Sequence, residues 1–261
     1  MTTIDPFSIG GKNCLIVGGT AGIGLGVAEH FVQAGADVII TGRRATGESI
    51  AAGVGARFVR MDLAESGSIS GGMASAADLF GGRIDCLILN AGIADDAGGV
   101  DGLDLAVFRR VFEVNVFGVA QALRDGIAHM EQGGSIVVTS SPAATELMPG
   151  VAAYGASKAA VNALVKTAAI ELGPRGIRVN AVLPGVIETE MAFDPDGLEE
   201  ELERLSSLTA TGKVRQPAEM GPPFQFLASA ASETCTGALL ACEDGVSAGF
   251  SSLLLARAFG A

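Results

Sequence analysis

The chain contains no tryptophan, one tyrosine, two histidines and four cysteines in 261 residues. With only His30 and His129 to draw on, both in helix-like segments, a histidine-based metal site or a Ser-His-Asp arrangement has little material. Cys14, Cys86, Cys235 and Cys242 are scattered without metal-ligand spacing, three of them in or beside apolar strand-like runs, so they read as buried thiols. Positive charge is also scarce. Seventeen basic residues against 29 acidic ones leave a formal charge of -12, which opposes contact with a nucleic-acid backbone or an anionic membrane surface and leaves a small molecule as the expected partner. No apolar stretch reaches the roughly 18 uninterrupted residues that a spanning helix needs. The opening MTTIDPFSIGG has neither the basic region nor the apolar run of a secretory signal, so a cytoplasmic location is the expectation.

Apolar residues, by contrast, are plentiful. They make up 49% of the chain against 18% charged, enough for a sizeable core, and nothing resembles a linker, so residues 1–261 are expected to form one domain. Short β-rich runs recur with helical stretches between them: CLIVGG, DVIITG, ARFVRM, DCLILN, SIVVTS, IRVNAVLPG and ALLACEDG. Their near-continuous hydrophobicity, without strict alternation, predicts strands buried on both faces. Strands alternating with helices predict a Rossmann-type three-layer α/β/α sandwich around a seven-stranded parallel sheet, with ligands at the carboxyl ends of the strands.

Three stretches fall at those ends and carry chemistry. After the first run, GGTAGIGLG sets Gly18, Gly22 and Gly24 in a G-x-x-x-G-x-G spacing before a helix-like segment. Glycines there allow a tight turn and let backbone N–H groups approach a pyrophosphate, although a purely structural turn would use the same residues. The second run ends in VIITGRR, where an acidic residue would bind the ribose 2'-hydroxyl of NAD and an arginine the 2'-phosphate of NADP. Gly42 stands at the acid's place and Arg43 follows, which favours NADP(H) over NAD(H); a solvated arginine pair is the alternative. Third, the lone tyrosine, Tyr154, precedes Lys158 by four residues in a segment with helical periodicity, so the two share one face. A neighbouring ammonium is expected to lower the tyrosine pKa toward a usable general acid/base. Thirteen residues upstream, VVTSS brings Ser140 and Ser141 to the same edge.

Glycine loop, NAG (Asn90 to Gly92), VNVFG (with Asn115), strand-end serine, Y-x-x-x-K and PG (Pro184, Gly185) occur in this order, and the chain from about Gly10 to Gly245 thereby resembles the short-chain dehydrogenase/reductase family. The resemblance implies an NAD(P)(H)-dependent oxidoreductase acting on a carbonyl or secondary alcohol, with direct hydride transfer and no metal. It makes Tyr154 the general acid/base, Lys158 its activator and ribose ligand, and Ser141, thirteen residues before the tyrosine, the substrate-orienting hydroxyl in preference to Ser140. Asn115 is implied to bind a water linking Lys158 to solvent. Gly18, Thr20, Gly22, Ile23 and Gly24 are implied to form the phosphate loop, with Arg43 on the ribose phosphate and Asp62 and Leu63 near the adenine. Asn90, Ala91 and Gly92 would flank the cofactor, and Pro184, Gly185, Ile187 and Thr189 would hold the nicotinamide end. A catalytically silent dinucleotide-binding scaffold or sensor and a hydride-free lyase of the halohydrin dehalogenase type remain the alternatives; against the latter, the lysine and the phosphate loop are both present. The chain departs from the family pattern at Val17, Leu89, Pro142 and CEDG.

The substrate pocket is expected between PAATELMPG and a lid spanning about residues 190–215, with Ala143, Met148, Val186, Met191 and Phe193 as apolar contacts beside Ser141 and Tyr154. Few basic groups lie there, Lys213 and Arg215 being the exceptions, which points to an apolar ketone or alcohol. The apolar tail, about residues 246–261, would either cover its own domain or pack across a subunit boundary, since members of the family this chain resembles are commonly homotetramers and a tetramer or dimer is expected.

Overall fold

The computed structural model describes residues 5–146, 149–190 and 198–259. Its strands are β1 (Asn13–Val17), β2 (Asp37–Gly42), β3 (Arg57–Arg60), β4 (Cys86–Leu89), β5 (Ser135–Thr139), β6 (Arg178–Pro184) and β7 (Leu239–Cys242). They form one sheet in the order β3-β2-β1-β4-β5-β6-β7, and every pair is parallel. The helices are α1 (Gly22–Gln33), α2 (Gly47–Val54), α3 (Ser66–Leu79), α4 (Leu105–Phe112), α5 (Val119–Ile127), α6 (Ala152–Leu172), α7 (Leu198–Ser206), α8 (Gly221–Ala228) and α9 (Ser252–Phe259).

The strand period of two divides each apolar run between two cores. Leu15 and Val17 of β1, Leu87 of β4 and Ile136 of β5 point to one face, where they meet Met73 of α3, Leu123 of α5 and Val161 and Val165 of α6. Cys14, Ile16, Ile88 and Val137 point to the other, against Phe31 of α1 and Phe224 and Leu227 of α8. A strand that serves both cores buries both of its faces, which is why the runs are readable as near-continuous hydrophobic stretches. Among the described residues no helix is long and apolar enough to cross a membrane.

The order reverses between β1 and β4, which opens a crevice at their carboxyl ends. Val17 O accepts from both Asn90 N at 3.0 Å and Ala91 N at 2.9 Å, joining the loops that follow the two strands. In the same strand pair Cys14 and Cys86 are register partners, both fully buried; their mutual hydrogen bond and their burial push the Cys14 thiol well up. Cys235 and Cys242 are only half-buried, a correction to the expectation of buried thiols. Of the histidines, His30 lies in α1 with Nε2 2.6 Å from Gln225 Oε1, whereas His129 sits in a turn after α5 and not in a helix.

Between α4 and α5 the helix runs on through a π-type widening, Glu113–Gly118, that includes the buried Asn115. After β6 the chain is pinned to the segment beyond α7: Arg215 N donates to Val186 O at 3.0 Å and Glu188 N to Arg215 O at 2.8 Å. The Arg215 guanidinium in turn binds Asp244 at 2.6 Å and Glu219 at 2.9 Å. Asp244, in the CEDG stretch, is the one non-glycine residue with positive φ (54°) among the described residues. In the tail, Ser251 Oγ donates to Ser207 O beyond α7 and accepts from Leu254 N in the first turn of α9, so the tail contacts its own chain.

Candidate active site

The glycines of the first turn are demanded by the space they occupy. Gly18 has φ +83°, and a Cβ there would stand 2.6 Å from Ala91 Cα. At Gly24 a Cβ would fall 2.1 Å from Gly18 O. The loop therefore folds back on the start of α1, whose N-cap Ala21 offers no capping side chain. Uncapped N–H groups at a helix N-terminus favour an anion, so Gly18, Thr20, Gly22, Ile23 and Gly24 suit a dinucleotide's phosphates. At the end of β2, a Cβ on Gly42 would lie 2.6 Å from Thr20 Oγ1, so the loop threonine takes the place that an acidic side chain would need. Arg43 and Arg44 follow, both exposed. Arg44 pairs with Glu190, whereas Arg43 has no carboxylate partner among the described residues. Beyond β3, Asp62 Oδ1 accepts from Ala64 N at 3.0 Å and so is partly occupied in its own turn; Leu63 is buried, its carbonyl against Gly118.

The carboxyl ends of β4 and β5 carry a chain of hydrogen bonds to the lysine. Asn90 Nδ2 donates to Gly18 O at 2.9 Å, Thr139 Oγ1 donates to Asn90 Oδ1 at 2.9 Å, and Lys158 Nζ donates to Thr139 O at 2.8 Å. Lys158 is thus tied to the glycine loop through two strand ends. Thr139 carries this link and escaped the sequence reading, because its carbonyl, which any residue would supply, holds the lysine and its hydroxyl bonds the distant Asn90. The Thr-Ser-Ser run, marking the strand's end, was the available signal.

Tyr154 and Lys158 lie on one face of α6, with Nζ 5.5 Å from the centre of the tyrosine ring. The expectation that the ammonium lowers the tyrosine pKa is not met. Burial raises the Tyr154 pKa, and only the hydrogen bond with Ser141 acts in the opposite direction. The reason is geometric: Nζ faces the ring and spends its hydrogen bond on Thr139. Burial also pulls the Lys158 pKa down to about 8, weakening the charge that would assist the phenolate.

Ser141 sits at the end of β5 in extended backbone, and its Oγ accepts from Ala143 N at 3.1 Å, capping the short turn Pro142–Ala144. With that acceptor position used, its proton is free for Tyr154 or a ligand oxygen. Ser140 Oγ is buried with no hydrogen-bond partner among the described residues and lies outside this pair. Both donors of the Asn115 amide are taken by protein groups. Nδ2 donates to Ile93 O at 2.8 Å and to Ser157 Oγ at 3.1 Å, and Oδ1 accepts from Ile93 N at 2.8 Å. Ser157 Oγ then donates to Tyr154 O at 2.7 Å. The side chain fixes the loop after β4 to the first turn of α6, and Gly92 provides the clearance: a Cβ there would lie 3.2 Å from Asn115 Oδ1 and 3.6 Å from Lys158 Nζ.

On the far side, Pro184 closes β6, and Gly185 packs against Glu243, 2.6 Å from its Cα if a Cβ were added. Ile187 is buried and bridged to Arg215, and Thr189 Cγ2 would lie 3.2 Å from a Cβ on Gly22, closing this segment onto the glycine loop. Ala143 is buried and Val186 half-buried at the same edge. Met148, Met191 and Phe193 lie outside the described residues. Arg215 is neutralised by Asp244 and Glu219, so it is no anion receptor.

A family model described as enoyl-(acyl carrier protein) reductase matches residues 18–247. A cis-4-hydroxycyclohexanecarboxylate dehydrogenase of Sinomonas cyclohexanicum is 34% identical over 242 residues, covering 90% of this chain and 96% of the relative. An NADP-dependent (R)-specific alcohol dehydrogenase of Lentilactobacillus kefiri is 35% identical over 248 residues, covering 91% and 97%. Among solved structures, a short-chain type dehydrogenase/reductase of Mycobacterium marinum superposes with a TM-score of 0.85 at 30% identity, covering 94% of this chain and 99% of that one. A short chain dehydrogenase of Burkholderia cenocepacia in complex with NADP gives 0.83 at 32% identity, covering 92% and 99%.

Proposed function

The chain belongs to the short-chain dehydrogenase/reductase family, and on that premise we propose that it interconverts a small carbonyl compound and its secondary alcohol with Tyr154 as general acid/base. The observation that carries this reading is the placement of Lys158 Nζ 5.5 Å from the centre of the Tyr154 ring, with Ser141 at the end of β5, at a sheet edge wired to the glycine loop through Thr139 and Asn90. Nicotinamide, when bound, supplies or accepts the hydride. Gly18 to Gly24 would hold the phosphates, Asn90 to Gly92 the central part of the cofactor, and Pro184 to Thr189 the nicotinamide end.

In reduction, the Ser141 hydroxyl donates to the substrate oxygen and fixes it next to the Tyr154 hydroxyl, whose proton passes to that oxygen. Burial keeps Tyr154 protonated at neutral pH, the form that reduction requires. Lys158, close to half-protonated near pH 8, is suited to return the proton. Arg43, without a carboxylate partner among the described residues, together with the absence of an acid at Gly42, supports preference for NADP(H). The pocket wall offers Ala143 and Val186 and no free arginine at Arg215, which supports an apolar substrate. Exposed large apolar residues, including Leu105, Phe117 and Ile170, support a homo-oligomer.

Tyr154→Phe tests the mechanism. Turnover with a ketone panel is expected to fall by roughly 100-fold or more, while NADPH affinity, read from the fluorescence of the reduced nicotinamide, changes by less than about twofold. Wild-type turnover in this variant would overturn the reading.

A further inference from the structure

Beyond β6 the chain turns back over the carboxyl edge of the sheet. At one end it is anchored by the bridge from Ile187 to Arg215. At the other, Glu190 meets Arg44, which follows β2. In the sheet, β6 and β2 are separated by β5, β4 and β1, so a segment held beside β6 and touching the end of β2 lies across the crevice between β1 and β4. Thr189 marks the crossing, packed against Gly22 at the start of α1. Residues Ile187 to Glu190 are therefore a strap over the groove, and the Arg44–Glu190 pair is its clasp.

We propose that Glu190 is a positioning residue for cofactor selectivity: by engaging Arg44 it withholds one of the two guanidinium groups at the end of β2 from a ribose 2'-phosphate. This rests on the dehydrogenase reading, which puts the adenosine ribose beside Arg43. A 2'-phosphate dianion and the Glu190 carboxylate compete for the same fork of donors and repel each other, whereas a 2'-hydroxyl does neither. The clasp is weak enough to exchange. Its side chains are 46% and 72% exposed, so the pair is well solvated, and a phosphate with more charge and more acceptor atoms displaces the carboxylate at a cost in affinity. Glu190 thus pulls the selectivity set by Arg43 back toward NAD(H).

The test is titration of wild type, Glu190→Gln, Glu190→Asp and the double variant Arg44→Ala/Glu190→Gln with NADPH and NADH at low ionic strength. In Glu190→Gln the Kd for NADPH is expected to fall roughly three- to tenfold while that for NADH moves by less than about twofold. Glu190→Asp should restore part of the wild-type ratio, and the double variant should lose the gain. An unchanged ratio, equal shifts for both cofactors, or a gain that survives without Arg44 would overturn the proposal. Binding of neither cofactor by wild type would overturn the dehydrogenase reading itself, a separate outcome visible before any variant is made.

Discussion

Lys158 is buried without a carboxylate partner among the described residues, its Nζ held by the carbonyl of Thr139. Burial lowers its pKa from 10.5 to about 8, so the unfolded chain binds the proton more tightly than the native one. Below pH 8 both states are charged and the native state carries the full cost of burying an ammonium. As pH rises from 8 toward 10.5 the native lysine releases its proton first and the cost fades, so this residue makes stability increase with pH across that window. That difference corresponds to roughly 3 kcal/mol at most. Lys158→Met removes the titration, so the stability gap between variant and wild type in denaturant melts at pH 7 should move in wild type's favour at pH 10. A gap independent of pH would show that the native lysine keeps an ordinary, solvated pKa. At Tyr154, the expected downward shift assumed that proximity to an ammonium suffices. The ring's own burial and the direction of the lysine's hydrogen bond decide otherwise, and neither is written in Y-x-x-x-K.

The start of α1 and the loop before it act as one element, because Gly24 sits 2.1 Å, in Cβ terms, from the carbonyl of Gly18. Gly24→Ala forces the loop off the helix and displaces the N–H groups that face the groove. Affinity for either reduced nicotinamide is expected to drop at least about tenfold with the far-ultraviolet circular dichroism nearly unchanged, since the displacement is confined to the first turn of α1 and the loop before it. Retained affinity would mean that the loop does not hold the phosphates. Elements like this were legible in the sequence where the pattern is local. Six of the seven strands fall within the predicted runs and β1 begins one residue ahead of its run, at Asn13, while α6 covers the helix expected around Tyr154, because apolar runs and a 3.6-residue period are properties of neighbours in the chain. What was illegible depends on distant partners. Asn115 gives no sign in the sequence of the bonds to Ile93 and Ser157 that take both its amide donors within a π-type turn that no propensity marks. Likewise Arg215 reads as a free cation until Asp244 and Glu219 close on it.

For the whole molecule, the two cores leave a set of large apolar side chains outside: Phe117 is 60% exposed, Ile170 78% and Phe250 82%. If these faces meet other copies of the chain, sedimentation velocity should give a mass above that of one 26.2 kDa chain, and Phe117→Asp or Ile170→Asp should lower it without loss of fold. A monomer in the wild type would refute the homo-oligomer. The scarcity noted at the outset has a last consequence. The one tyrosine of a tryptophan-free chain lies half-buried at the site, so nearly all of the protein's near-ultraviolet absorption above the phenylalanine bands comes from a single residue. The molecule carries its own site-specific chromophore: an alkaline spectrophotometric titration of the folded protein is a titration of Tyr154 alone, with no background from other residues to subtract.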